Sequence, residues 1–110
     1  MKYNKYGNKK VEIDGIKFDS RKEANRYAEL KLLERCRDIT DLELQPRFLL
    51  QDKFKHNGKA IRKVEYVADF MYKRDGEIYV EDVKGMKTDV YSLKKKLFLK
   101  KYSEYIFKEI

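Results

Sequence analysis

Val64-Glu65-Tyr66-Val67-Ala68-Asp69-Phe70-Met71-Tyr72-Lys73-Arg74-Asp75-Gly76-Glu77-Ile78-Tyr79-Val80-Glu81-Asp82-Val83-Lys84 is the stretch on which the fold turns. Residues 64–73 and 78–84 are rich in β-branched and aromatic side chains, as strands are. The Asp-Gly pair between them is the strongest short-range signal for a hairpin. With Asp75 and Gly76 as a two-residue loop, Arg74 faces Glu77, and counting outward sets Asp69 opposite Asp82. Side chains alternate along a strand, so Lys84 shares the face of Asp82. The expectation is two carboxylates and an ammonium on one patch of one sheet face. Slippage by one residue would bring Glu81 to the Asp69 face instead. The two-residue turn and the acid-x-Lys spacing both select Asp82.

Such a patch costs folding energy. Directly opposed carboxylates about 5 Å apart repel by ~3 kcal/mol at an effective dielectric of ~20. A divalent cation between them converts that repulsion into binding, and hard oxygen ligands suit Mg²⁺ or Mn²⁺. The alternative is that Lys84 neutralises Asp82 in an ordinary surface cluster.

Working outward, residues 1–110 read as a single domain with a modest core. Residues 1–8 read as a flexible basic arm. A short hairpin follows, residues 11–13 and 16–18 about Asp14-Gly15. Ser20-Arg21-Lys22-Glu23 then fits a capping box, with Ser20 at the N-cap and Glu23 at the third helical position. The spacing predicts a helix over 21–37, with Ala24, Tyr27, Ala28, Leu32 and Cys36 on one apolar face and Leu30 and Leu33 beside it. A strand is expected over 42–50, with Pro46 at an edge, a bulge or a break. Residues 55–59 are turn-rich. Thr88 can cap a helix over 89–101, and residues 103–109 read as a closing strand. Behind the first hairpin the order is therefore α-β-β-β-α-β.

Formal net charge is +8, and 42% of residues are charged. Lys2, Lys5, Lys9 and Lys10 give residues 1–10 a charge of +4, and residues 86–110 carry another +4. The stretch 11–85 holds sixteen bases and sixteen acids. Clustered cations favour a polyanion through counterion release. Cys36 is the only cysteine and His56 the only histidine, so no internal disulfide or Cys/His zinc site can form. Cys36 is expected to pack as a small buried hydrophobe. The N-terminal stretch has no apolar segment of the signal-peptide kind, and no run is long enough to span a membrane. The chain reads as cytoplasmic, without a membrane partner. No phosphate-cradling G-x-x-x-x-G-K is present, and His56-Asn57 is too little for an HNH nuclease.

With Ala68-Asp69 on the second strand, Asp82-Val83-Lys84 on the third and Gly85 after it, this element order resembles the PD-(D/E)XK nuclease core. Ala68 stands where the family name has proline. Ser20-Arg21-Lys22-Glu23-Ala24, Leu44-Gln45-Pro46 and Glu81-Asp82-Val83-Lys84-Gly85 resemble a small phage-encoded branch of that superfamily. Its members are usually regarded as endonucleases or Holliday-junction-resolvase-like proteins. The resemblance implies an α/β, restriction-endonuclease-like αβββαβ core with an added N-terminal hairpin, and, for a phage protein, the host cytoplasm as its compartment. It also implies a metal-dependent DNA endonuclease in which Asp69 and Asp82 hold Mg²⁺ or Mn²⁺. Glu23 and the Val83 carbonyl are further ligands in that scheme, unless Glu23 serves only as a cap. Lys84 orients or deprotonates a water, or stabilises the transition state.

The expected partner is DNA, plausibly branched, and a symmetric junction implies a homodimer. Lys94, Lys95 and Lys96 on the second helix are candidate DNA contacts, with Lys94 expected nearest the active face. N-terminal Lys2, Lys5, Lys9 and Lys10, interleaved with Tyr3 and Tyr6, are further candidates. Two other classes stand beside the nuclease: a non-catalytic nucleic-acid-binding module and a protein–protein adaptor.

Overall fold

The computed structural model describes residues 10–83 and 87–110. The expected basic arm and Lys9 lie outside the described residues, as do Lys84, Gly85 and Met86.

Three hairpins share one local cause. β1 (Val11–Ile13) pairs with β2 (Ile16–Phe18) around Asp14-Gly15. β5 (Phe54–His56) pairs with β6 (Lys59–Ile61) around Asn57-Gly58, and β8 (Phe70–Arg74) pairs with β9 (Glu77–Asp82) around Asp75-Gly76. Both residues of each turn have positive φ, from 49° at Asn57 to 78° at Gly58 and Gly76. That backbone matches the right-handed twist of the flanking strands. The turn-rich loop expected at 55–59 is thus the tip of a third hairpin.

The helix α1 (Arg21–Arg35) begins at the expected cap: Ser20 Oγ accepts the Glu23 N–H at 3.1 Å, and Glu23 Oε1 accepts the Asp19 N–H at 3.3 Å. Its inward face differs from the expectation. Ala24, Tyr27 and Leu30 are buried, whereas Ala28 and Cys36 are exposed and Leu32 is 58% exposed. Two overlapping apolar stripes run along this helix, and packing against β1, β2 and β3 (Thr40–Leu44) selects the one through Leu30. Cys36 is the C-cap, one residue before the left-handed Arg37 (φ 63°), so the chain turns away there before Cys36 can be covered.

The two long strands expected at 42–50 and 64–73 are both broken. The first is β3 (Thr40–Leu44) and β4 (Arg47–Gln51); the second is β7 (Val64–Val67) and β8. The breaks lie side by side. β3 pairs with β8 through Leu44↔Phe70, and β4 pairs with β7 through Arg47↔Val67. Between these rungs the Gln45 N–H donates to the Asp69 carbonyl at 2.9 Å, and the Ala68 N–H to the Pro46 carbonyl at 3.1 Å. The pairing therefore runs through the bend without losing register. The side chains do change faces. Phe70 and Tyr72 belong to one core and Tyr66 and Ala68 to the other, although residues two apart share a face in a straight strand. Gln45, at φ 51°, supplies the local twist.

The result is an α/β fold with a mixed four-stranded sheet ordered β10-β9-β8-β3, where β10 is Ile106–Glu109. β9 and β10 are parallel, which requires a crossover, and α2 (Asp89–Lys101) supplies it. Thr88 Oγ1 caps that helix by accepting the Tyr91 N–H at 3.1 Å. One core joins α1 to Phe18, Ile39, Phe70, Tyr72 and Val83. The other joins Tyr91 and Phe98 of α2 to Phe48, Tyr66, Ala68 and Val80. Between the helices the expected three strands are seven strand segments, because the first two are bent and a hairpin separates them.

Candidate functional site

Asp69 occupies the seam between the two cores. It is half-buried in the bend ahead of β8, held there by backbone pairing on both sides. Its N–H donates to the Glu81 carbonyl at 3.1 Å, and its Oδ2 accepts the Val83 N–H at 2.6 Å. The regular ladder ends one rung earlier, at Phe70↔Glu81. The direct opposition of Asp69 and Asp82 expected from the turn is therefore replaced by an offset. The bend lets Asp69 bond to Glu81 with its backbone and reach past Asp82 to Val83 with its carboxylate.

Asp82, the last residue of β9, is fully buried, and its Oδ2 accepts the Tyr66 hydroxyl. Tyr66 and Tyr91 come from β7 and α2 and lie in the second core. Their phenols are pushed to higher pKa, first by burial, with the charges of Asp82 and Asp69 both contributing. The two aspartates thus share one electrostatic neighbourhood, walled by two tyrosines.

Glu81 points the other way, into the first core. It is fully buried, and Arg26 grips it with two bonds, Nε to Oε1 at 2.7 Å and Nη2 to Oε2 at 2.6 Å. The Tyr72 hydroxyl also donates to it. The adjacent acids are consequently sorted to opposite faces by the strand pleat.

On the first-core side, Glu23 and Asp69 line one pocket of about 170 Å³ with Lys17, Gln45, Leu44 and Phe70. α1 delivers Glu23, the first hairpin delivers Lys17, and the bend delivers Gln45 and Asp69. Asp82 is not among the residues lining this pocket. Glu23 and Asp69 thus share a pocket, and Asp69 and Asp82 share the surroundings of Tyr66 and Tyr91, without all three being gathered. Among the described residues no three Asp, Glu, His or Cys side chains form a group that could hold a metal ion.

The helix lysines also sort differently from the expectation. Lys95 turns toward the end of β9: it pairs with Glu109 at 3.2 Å and lies 5.6 Å from the Phe107 ring centre. Glu109 stands beside Asp82 in the β9–β10 register, and also receives Lys87 at 2.9 Å and the Tyr91 hydroxyl. These donors, Tyr91 first, hold its carboxyl at about 2. Lys95 is thus the lysine directed toward the Asp82 end, with Tyr91 one turn before it, and its charge is already engaged. Lys94 is half-buried, whereas Lys96 and Lys10 are exposed.

Sequence reasoning missed Tyr66, Tyr91, Glu109, Lys17 and Gln45. For Gln45 a signal existed in the Gln-Pro pair inside an otherwise strand-like run. Nothing in the sequence ties Tyr66 or Tyr91 to the acids until both are located in space.

Residues 3–109 match the model of a family described as a protein of unknown function (DUF1064). The chain belongs to this family. Its match spans both cores and every acid of the site, so the bend, the pocket and the tyrosine wall all lie within the DUF1064 unit. No curated protein and no solved structure matches the chain. Among the described residues no helix is long and apolar enough to cross a membrane.

Proposed function

We propose that this chain is a DNA endonuclease with a PD-(D/E)XK-type centre, acting on branched DNA as a homodimer. One observation carries the reading: β8, β9 and the bend bring Asp69 and Asp82 into one neighbourhood while Glu23 shares a pocket with Asp69. Asp82 accepts the Tyr66 hydroxyl and Asp69 the Val83 N–H, so two acids are held at one strand end, whereas Glu81 next door is held by Arg26 and Tyr72 on the other face. In this reading α1, the bent β3–β4 and β7–β8 strands, β9, α2 and β10 correspond to the αβββαβ core. Lys84, two residues beyond Asp82, belongs to the proposal by its place in the chain.

The proposed cofactor is Mg²⁺ or Mn²⁺, which takes several oxygen ligands. The described carboxylates do not make up such a set by themselves. Asp82 accepts from Tyr66, Asp69 from Val83 and Glu23 from Asp19, and no third acid joins the aspartate pair. What these residues do as described is bring two acids to one strand end, Asp82 fully buried against the Tyr66 hydroxyl and Asp69 half-buried at the pocket. Lys17 at the pocket mouth supplies a cation suited to a phosphate oxygen.

That same shortfall favours a second reading, a non-catalytic nucleic-acid-binding module in which the acids are structural. A cleavage panel separates the two: labelled four-way junction, flap, single-stranded and duplex DNA, each with Mg²⁺, Mn²⁺ or EDTA. Metal-dependent cleavage lost in Asp82→Asn and Lys84→Ala, with binding retained, supports the nuclease. Binding without cleavage under every condition supports the module. Cleavage unchanged in both variants removes the site assignment.

A further inference from the structure

The β5–β6 hairpin stands apart from both cores. All six of its strand residues are exposed, and its extensive packing is between its own two strands. Between Lys53 and Lys63 the chain carries five bases, Lys53, Lys55, Lys59, Arg62 and Lys63, and no acid. The basic surplus that a whole-chain count places at the two ends is thus matched locally by this ribbon. The register sets Phe54 opposite Ile61, and both are exposed, at 48% and 37%. Two rungs nearer the tip, on the same face, His56 meets Lys59; the rung between them carries Lys55 against Ala60 on the opposite face. Lys53, Phe54, Lys55, Ala60, Ile61 and Arg62 line a concavity of about 420 Å³.

Exposed apolar side chains ringed by cations fit a partner with an apolar interior and an anionic edge. Strands lie about 4.8 Å apart, so a two-stranded ribbon with its side chains suits the ~12 Å width of a B-DNA major groove. The ribbon follows the β4–β7 pair with two residues between on each side, 52–53 and 62–63, and the inner end of that pair is the bend at Asp69. At about 3.4 Å per residue, the extended chain between that bend and the tip is on the order of 35 Å long, close to one turn of duplex.

We propose that the β5–β6 ribbon is a DNA-docking element that enters the major groove about one helical turn from the Asp69 site. Lys55, Lys59 and Arg62 contact phosphates, and Phe54 with Ile61 contacts base edges, where thymine methyl groups are the apolar feature. The inference rests on the nucleic-acid part of the reading above and is independent of cleavage.

The test is binding of the full chain to a labelled DNA duplex and to an RNA duplex of the same sequence, by fluorescence anisotropy between 50 and 200 mM salt. Lys55→Ala/Lys59→Ala/Arg62→Ala is expected to flatten the slope of log affinity against log salt by about 2–3, at roughly 0.9 per phosphate lost. Phe54→Ala is expected to weaken DNA binding about tenfold while leaving the slope unchanged. RNA, whose major groove is too narrow for the ribbon, should not respond to Phe54→Ala. These positions are exposed, so circular dichroism should match the parent chain. Wild-type binding that both variants reproduce overturns the ribbon assignment and leaves the nucleic-acid reading standing. No binding by the parent chain removes both. Altered oligomeric state by light scattering, with DNA affinity unchanged, overturns the proposal in favour of self-association.

Discussion

Replacing Arg26 with methionine isolates the consequence of sorting Glu81 and Asp82 to opposite faces. The substitution keeps most of the side-chain volume but strips Glu81 of its two charged hydrogen bonds, at 2.7 and 2.6 Å. Glu81 is fully buried, and the Arg26 side chain is 20% exposed, so solvent cannot take over the carboxylate. The Tyr72 hydroxyl remains as a neutral donor, and one neutral bond does not replace a bidentate guanidinium. Breaking a buried pair from one side costs about 3–5 kcal/mol, against a total of ~5–15 kcal/mol for a domain. At roughly 4 °C per kcal/mol for a chain of this size, Tm should fall by about 12–20 °C. Urea denaturation followed by circular dichroism gives the free energy directly. The triple change Arg26→Met/Tyr72→Phe/Glu81→Leu removes every polar member and should recover most of the loss, since apolar replacement of a buried network is often neutral. A loss below ~1 kcal/mol for Arg26→Met would refute the reasoning, because that is the scale of a solvent-screened surface pair.

Three further outcomes follow from local geometry. Glu109, held at about 2 from an ordinary value of 4.5 by Tyr91, Lys87 and Lys95, stabilises the fold fully above its unfolded value. That contribution should be lost as pH falls from about 4.5 towards 2, so acid unfolding curves of the parent chain and Glu109→Gln should converge at the low end. Ser20→Ala removes the acceptor for the Glu23 N–H and should cost ~1 kcal/mol in chemical denaturation, with α1 otherwise intact. Gly76→Ala should cost about 1–2 kcal/mol, although a Cβ there meets nothing within 4 Å, because the penalty comes from φ 78° alone.

Local chemistry explains which features were readable in the residues. Asp14-Gly15 and Asp75-Gly76 each require two positive φ values, and few pairs accept them so readily. Asn57-Gly58 carries the same signal, but its flanking strands are exposed and mixed in character, so they read as loop. Ser20 and Thr88 announce helix starts because their hydroxyls meet N–H groups three residues on, inside the same segment. The inward face of α1 was less legible. Stripes through Leu30 and through Leu32 both satisfy helical spacing, and only the position of the sheet distinguishes them.

For the candidate site, the sequence by itself determined the inventory: two aspartates thirteen residues apart around a tight turn, an acid at the head of a helix, and lysines downstream. Turn chemistry sets the β8–β9 register, and pleat alternation then separates Glu81 from Asp82. Tertiary structure alone decided how those acids meet. Pro46 marks a local break, but the bend there is matched across the ladder by the bend at Ala68-Asp69, in a strand more than twenty residues away. No local preference encodes that match. It rotates the strand from one core to the other and leaves Asp69 at their seam, within reach of Glu23 on one side and of the tyrosines around Asp82 on the other. The placement depends on two cores packing against opposite faces of one sheet, which is a long-range condition that no single segment carries.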